Sequence, residues 1–113
     1  MQSGQMRASH LLVKHKGSRR PSSWKEPNVT RSKDQAIENL QQFRQRIVNG
    51  EDFAKLANEL SDCSSHSKGG DLGWFGPGQM QKAFEDAVKS LKVGELSQVV
   101  DTDSGVHIVL RTG

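Results

Sequence analysis

The apolar residues of this chain change period twice, from two to about 3.6 and back to two, and that order restricts the folds open to it. Residues 8–15 alternate: Ala8, His10, Leu12 and Lys14 share one face, and Ser9, Leu11, Val13 and His15 the other, as in a strand. Three helical stripes follow. Ser32 and Gln35 resemble a capping box ahead of Ala36, Ile37, Leu40, Phe43 and Ile47, a pattern stopped by Gly50. Asp52 is placed as the N-cap of Phe53, Leu56, Ala57 and Leu60. Phe84, Ala87, Val88 and Leu91 form the third stripe, closed by Gly94. The chain then ends as a hairpin, with arms at 96–100 and 106–111 and the turn at 101–105, while the short apolar run 72–75 reads as an edge strand. Helices between one N-terminal strand and a C-terminal hairpin predict an α+β fold with a mixed or antiparallel sheet. Residues 1–6 are expected as a short tail and 7–113 as one domain.

With 113 residues and about a third of them hydrophobic, one modest core is the most the chain can build. The lone cysteine cannot close an internal disulfide, and residues 1–6 are polar, unlike a signal region, so a reducing compartment, cytoplasm or nucleus, is expected. No apolar run is long enough to span a membrane. The charge is uneven. Residues 1–25 hold six basic side chains and no acid, whereas the remainder holds ten basic and thirteen acidic ones, so the N-terminal part is suited to an anionic partner.

Three groups carry chemistry. Cys63 lies between Ser61, Asp62, Ser64 and Ser65, just past a predicted helix C-terminus, where no helix dipole lowers its pKa. A single cysteine is more often a small core hydrophobe, but polar flanks suit a loop-borne thiol better. His10 and His107 each sit mid-strand among apolar residues. A buried imidazole needs partners for both nitrogens, and on adjacent strands the two could satisfy each other, as a structural pair or as part of a site. With Cys63 they lack a fourth ligand and any short-range ligand spacing, so no metal is expected. His15 and His66, in polar surroundings, are expected to face solvent. Lys14, Arg19 and Arg20, with Lys16 and Lys25 near them, border a loop at 17–30 rich in Gly, Pro and Ser. Such a run is either a solvated face or a phosphate grip, since planar guanidinium groups hold phosphate oxygens in pairs. Nucleic acid is disfavoured, because the basic residues are concentrated in one short region and there is no Tyr.

Six blocks, in order, carry a resemblance that covers nearly the whole chain: residues 10–15 (HLLVKH), 18–24 (SRRPSSW), 61–65 (SDCSS), 70–73 (GDLG), 78–81 (GQMQ) and 102–108 (TDSGVHI). The chain resembles the parvulin-type peptidyl-prolyl cis/trans isomerases, specifically the phosphoserine/phosphothreonine-proline-directed subgroup. The resemblance implies a four-stranded antiparallel sheet surrounded by helices. It implies phosphate binding by Lys14, Arg19 and Arg20, and a proline pocket made by Leu72, Met80 and Phe84 and lined by Gln81 and Thr102. Cys63, His10, His107 and Ser104 become the polar centre by the isomerising bond. The implied partners are phosphorylated Ser/Thr-Pro proteins, with no cofactor and the chain acting as a monomer. The chain departs from the family at Ala83, where proline is common near the first helical turn, and at Trp74 and residues 76–78 by the pocket rim. Six residues ahead of the first strand leave no room for the WW module of many relatives, so targeting is expected to rest on this domain or on its partners.

Rotating an X-Pro bond meets a barrier of roughly 18–20 kcal/mol, and an acceleration of about 10⁴ needs that lowered by only about 5.5 kcal/mol. Non-covalent contacts can supply this. Two other readings of the same residues stand beside it: a phosphopeptide-binding module without catalysis, and a cysteine hydrolase using Cys63 with His10 or His107.

Overall fold

The computed structural model describes residues 4–113. Its elements, in chain order, are β1 (Met6–Val13), α1 (Lys33–Val48), α2 (Phe53–Leu60), a 3₁₀ turn (Ser64–Lys68), β2 (Asp71–Phe75), α3 (Lys82–Lys89), β3 (Val100–Thr102) and β4 (Gly105–Arg111). The four strands form one antiparallel sheet in the order β2-β1-β4-β3, as the resemblance implied. The helix starts follow the capping residues. Ser32 Oγ accepts the Gln35 N–H at 3.1 Å and Asp52 Oδ2 the Lys55 N–H at 3.2 Å. The box at Ser32 is only half formed, because the Gln35 amide turns to Asn39 instead.

The alternation in β1 and β4 sorts the sheet into two apolar faces. Leu11, Val13, Val106 and Ile108 pack with Ala36 and Leu40 of α1 and Phe53, Leu56 and Ala57 of α2. Met6, Ala8 and Val109 pack with Phe75 and with Phe84 and Val88 of α3. His10 shares the face of Ala8, and His107 that of Val109, so both imidazoles are carried to the α3 side by the pleat alone. No helix among the described residues is long and apolar enough to cross a membrane.

Four boundaries differ from the sequence expectations. β1 starts at Met6, which is buried and paired with Phe75, so the expected tail loses its last residue; residues 1–3 lie outside the described residues. β1 stops at Val13 rather than at residue 15, because side chains take the next two N–H groups: Lys14 donates to Asp62 Oδ2 and His15 to Ser18 Oγ. The first hairpin arm is only the three residues of β3. Residues 96–99 run beside β4 irregularly, with the Ser97 hydroxyl standing in for a carbonyl as acceptor of the Val109 N–H at 2.9 Å. α3 ends at Lys89, leaving Leu91 past the helix, and Gly94 serves not as its stop but as a turn at φ +89° whose N–H reaches Arg111 O.

Candidate active site

A pocket of about 110 Å³ opens on the α3 side of the sheet, lined by His10, Leu72, Met80, Gln81, Phe84, Thr102, Ser104 and His107. Its apolar wall is Leu72 from β2, Met80 from the turn ahead of α3, and Phe84 from the first turn of α3. Phe84 is 4% exposed and meets both imidazoles edge-on, at centroid distances of 5.6 Å to His10 and 5.4 Å to His107. It is therefore core residue and pocket wall at once. The turn bearing Met80 is held by Glu85, whose carboxylate accepts the Gly78 N–H at 2.8 Å. That bond, with Lys89 beside it, holds the Glu85 carboxyl below the usual range.

The polar floor is the pair of histidines, Nδ1 to Nδ1 at 2.8 Å. Burial, and then the neighbouring His10, pushes the His107 imidazole down to about 3, so it is neutral near pH 7. A neutral ring has one donor and one acceptor. With His10 donating through Nδ1, His107 accepts there and donates from Nε2 to Thr102 Oγ1 at 2.7 Å. Thr102 Oγ1 also accepts the Ser104 N–H, so the strand–turn junction fixes the tautomer.

His10 Nε2 is buried with no hydrogen-bond partner among the described residues, and the Cys63 thiol lies close enough to the His10 imidazole to be shifted by it. Burial pushes that thiol up, but hydrogen bonding to His10, the charge of His10 and bonds from Ser65 outweigh it and bring the thiol down to about 6. Cys63 is half-buried and stands beside the pocket rather than in its lining. Its place is set by the two residues before it. Ser61 Oγ accepts the Leu12 N–H at 3.0 Å and the Asp62 N–H donates to Leu12 O at 2.7 Å, which lays this segment along the end of β1, next to His10.

The basic cluster lies on the loop after β1. Lys14 Nζ donates to Ser22 O at 2.7 Å, while Arg19 and Arg20 are exposed and have no ion pair among the described residues. The Arg19 N–H donates to Asp103 O at 2.8 Å. From the other side Gln81 grips the same turn, its Nε2 donating to Ser104 Oγ at 2.9 Å and its Oε1 accepting the Asp103 N–H at 3.1 Å. The Asp103–Ser104 turn is thus a joint between pocket and basic loop. Eight of the twelve site residues that the resemblance implied line the pocket, Cys63 stands beside it, and Lys14, Arg19 and Arg20 follow β1 on the segment joined to it through Asp103.

Residues 10–113 match the rotamase family, described as the PPIC-type PPIase domain. This chain belongs to that family. Over 113 residues the rotamase chain is 54% identical to the peptidyl-prolyl cis-trans isomerase Pin1 of Arabidopsis thaliana, covering 96% of this chain and 95% of the relative. It is 50% identical to the peptidyl-prolyl cis-trans isomerase ESS1 of Saccharomyces cerevisiae, over 96% of this chain and 65% of that one. Among solved structures it superposes on the peptidyl-prolyl isomerase ESS1 from Candida albicans with a TM-score of 0.97 at 50% identity, over all of this chain and 65% of that one.

Several residues of the site were not legible in advance. Asp62 has a fully buried carboxylate. It accepts Lys14 N–H at 2.8 Å and Ser23 Oγ–H at 3.0 Å and faces Lys25 at 3.3 Å and Arg31 at 3.5 Å. In sequence it is one polar residue in a polar stretch, and only its place in the SDCSS block hinted at a role. His15 does not face solvent, and His66 is only partly exposed. His15 is 8% exposed, its Nδ1 accepting the Gly17 N–H at 3.1 Å in the turn that leads to Arg19. His66 stacks on Trp24. The first contact closes a local turn and the second joins two distant loops, and neither follows a periodic pattern.

Proposed function

We propose that this chain catalyses cis/trans isomerisation of the peptide bond between a phosphorylated Ser or Thr and the following proline in protein substrates. The observation that carries this reading is the pairing of a small apolar pocket over two hydrogen-bonded imidazoles with two exposed arginines that have no ion pair among the described residues, joined through the Asp103–Ser104 turn. The pocket walls Leu72, Met80 and Phe84 suit a proline ring. Arg19, Arg20 and Lys14 suit a phosphate on the preceding residue, which carries about −1.5 to −2 charges near pH 7.

Anchoring the ring on one side and the phosphate on the other leaves the intervening amide as the part free to turn. Its resonance is lost as it twists, so the nitrogen becomes more basic and the carbonyl oxygen less negative. Hydroxyl and amide groups of Ser104, Thr102 and Gln81, and the Cys63–His10 pair, supply a polar environment that tolerates this change. No bond to sulfur is required. The substrates are proteins, the chain acts as a monomer, and its free thiol suits the reducing cytoplasm or nucleus.

Magnetisation-exchange NMR tests the reading directly. A phosphoserine-proline peptide should show cis/trans exchange in the presence of catalytic amounts of the protein, and the unphosphorylated peptide far less. Binding without exchange would leave only a phosphopeptide-binding module, and a stable mass adduct at Cys63 would favour the hydrolase.

Electrostatic action by Cys63 makes a second prediction. On a Glu-Pro peptide, whose carboxylate does not titrate in the window, kcat/KM should be level above pH 7 and fall as the thiolate is protonated through about 6. Cys63→Asp should retain activity and lose that inflection. Complete inactivity of a folded Cys63→Asp protein would overturn the non-covalent mechanism.

A further inference from the structure

We propose that His66 is a positioning residue, a latch that holds the arginine-bearing loop in the geometry needed to receive phosphate. The inference rests on the phosphate-directed reading above. The imidazole lies flat against the indole of Trp24, with centroids 3.8 Å apart and planes 9° from parallel. Its orientation is fixed from α2: His66 Nδ1 donates to Asn58 O at 2.9 Å, and Asn58 Nδ2 donates back to His66 O at 3.1 Å. The proton on Nδ1 follows from its carbonyl partner. The other end of the stack is also pinned, since Trp24 Nε1 donates to Ser61 O at 2.7 Å.

This contact matters because of what the loop lacks. Residues 17–32 form neither helix nor strand, so nothing periodic stiffens the segment that presents Arg19 and Arg20. Those arginines have no ion pair among the described residues to hold them, and their position depends on where the backbone is tied. The Arg19 N–H on Asp103 O, Lys14 Nζ on Ser22 O, the Lys16 N–H on Arg31 O and the Val29 N–H on Pro21 O are ties along its length. A further tie is the segment from Ser23 to Lys25, fastened to the Ser61–Asp62 segment and to His66. With Trp24 51% exposed, burial alone holds its indole weakly, and the imidazole face supplies the missing contact. His66 also belongs to the 3₁₀ turn that begins just past Cys63, so the latch joins the phosphate loop to the thiol segment. A loop ordered before binding loses less conformational freedom when it closes on phosphate, and the gain appears as affinity for the phosphorylated ligand.

The test separates latch from mere packing by comparing KM with kcat on paired peptides. His66→Ala should raise KM for a phosphoserine-proline peptide roughly 3- to 10-fold while kcat stays within about twofold, and kcat/KM on the unphosphorylated serine-proline peptide should hardly move. His66→Phe, which keeps an aromatic face, should restore most of the phosphopeptide KM. In the same alanine variant the Trp24 indole N–H should exchange with solvent faster than in the wild type, a readout independent of substrate. Parallel losses on both peptides, an unchanged KM in His66→Ala, or failure of His66→Phe to rescue would each overturn the inference. Wild-type protein that shows no phosphopeptide turnover would instead overturn the functional reading, and the indole exchange rate would still report whether His66 orders the loop.

Discussion

Changing Arg19 and Arg20 together to alanine is expected to erase the preference for phosphorylated substrates: kcat/KM on a phosphoserine-proline peptide falls about 100-fold, and on the unphosphorylated peptide by less than about twofold. A hydrogen bond to a charged group contributes about 1.5–3 kcal/mol, and two partly solvated ones together reach the roughly 2.7 kcal/mol that a 100-fold change represents. The arginines are exposed and unpaired among the described residues, so an arriving phosphate displaces no competing carboxylate. Because no partner is lost in the folded protein, stability should stay within about 0.5 kcal/mol of the wild type. The preference should also shrink as salt rises in the parent and be nearly salt-independent in the double variant, since screening acts on exposed charges first. Steady-state kinetics on both peptides at two ionic strengths decides the matter. An unchanged phospho/non-phospho ratio would remove Arg19 and Arg20 from the phosphate site.

Asp62→Ala is expected to destabilise the fold by about 3 kcal/mol in chemical denaturation. The carboxylate is fully buried, and its loss strips acceptors from Lys14 N–H and Ser23 Oγ and leaves Arg31, 20% exposed at the side chain, facing an empty position. Arg31 keeps Glu26 and Lys14 O as partners, which bounds the cost. Asp62→Asn keeps an oxygen for the Lys14 N–H and should cost less than the alanine change. In whatever fraction stays folded, phosphopeptide KM should rise, since the Ser23–Lys25 segment is released along with the end of β1. A loss below about 1 kcal/mol for Asp62→Ala would mean that water replaces the network and that the carboxylate does not organise the loop.

How far the site was legible in the chain depends on the range of the interactions concerned. The helix starts at Ser32 and Asp52 were readable because a cap acts over three residues. The faces of β1 and β4 were readable because the pleat repeats every two, and that sufficed to bring His10 and His107 to the same side. Lys14, Arg19 and Arg20 stood out by their own clustering as a phosphate grip or a solvated face, and the resemblance chose between the two; Leu72, Met80 and Phe84 were assigned to a proline ring by the resemblance. The early ends of β1 and α3 were not readable, because each strand or helix stops where a distant group takes the next N–H or where packing runs out. Asp62 on Lys14 and the Ser97 hydroxyl on Val109 are such groups.

The sequence by itself determined the α+β order, the apolar faces of the strands and helices, the basic N-terminal segment and the kinship with rotamases, all of which depend on local periodicity or on runs of adjacent residues. Only the tertiary structure decided that a polar Asp62 is buried, that His15 is buried and a partly exposed His66 stacks on Trp24, and that Cys63 meets His10 beside the pocket. Apart from the local turn at His15, those facts rest on contacts between segments tens of residues apart. Their energy depends on distance, orientation and exclusion of water, none of which a residue's neighbours in the chain can set.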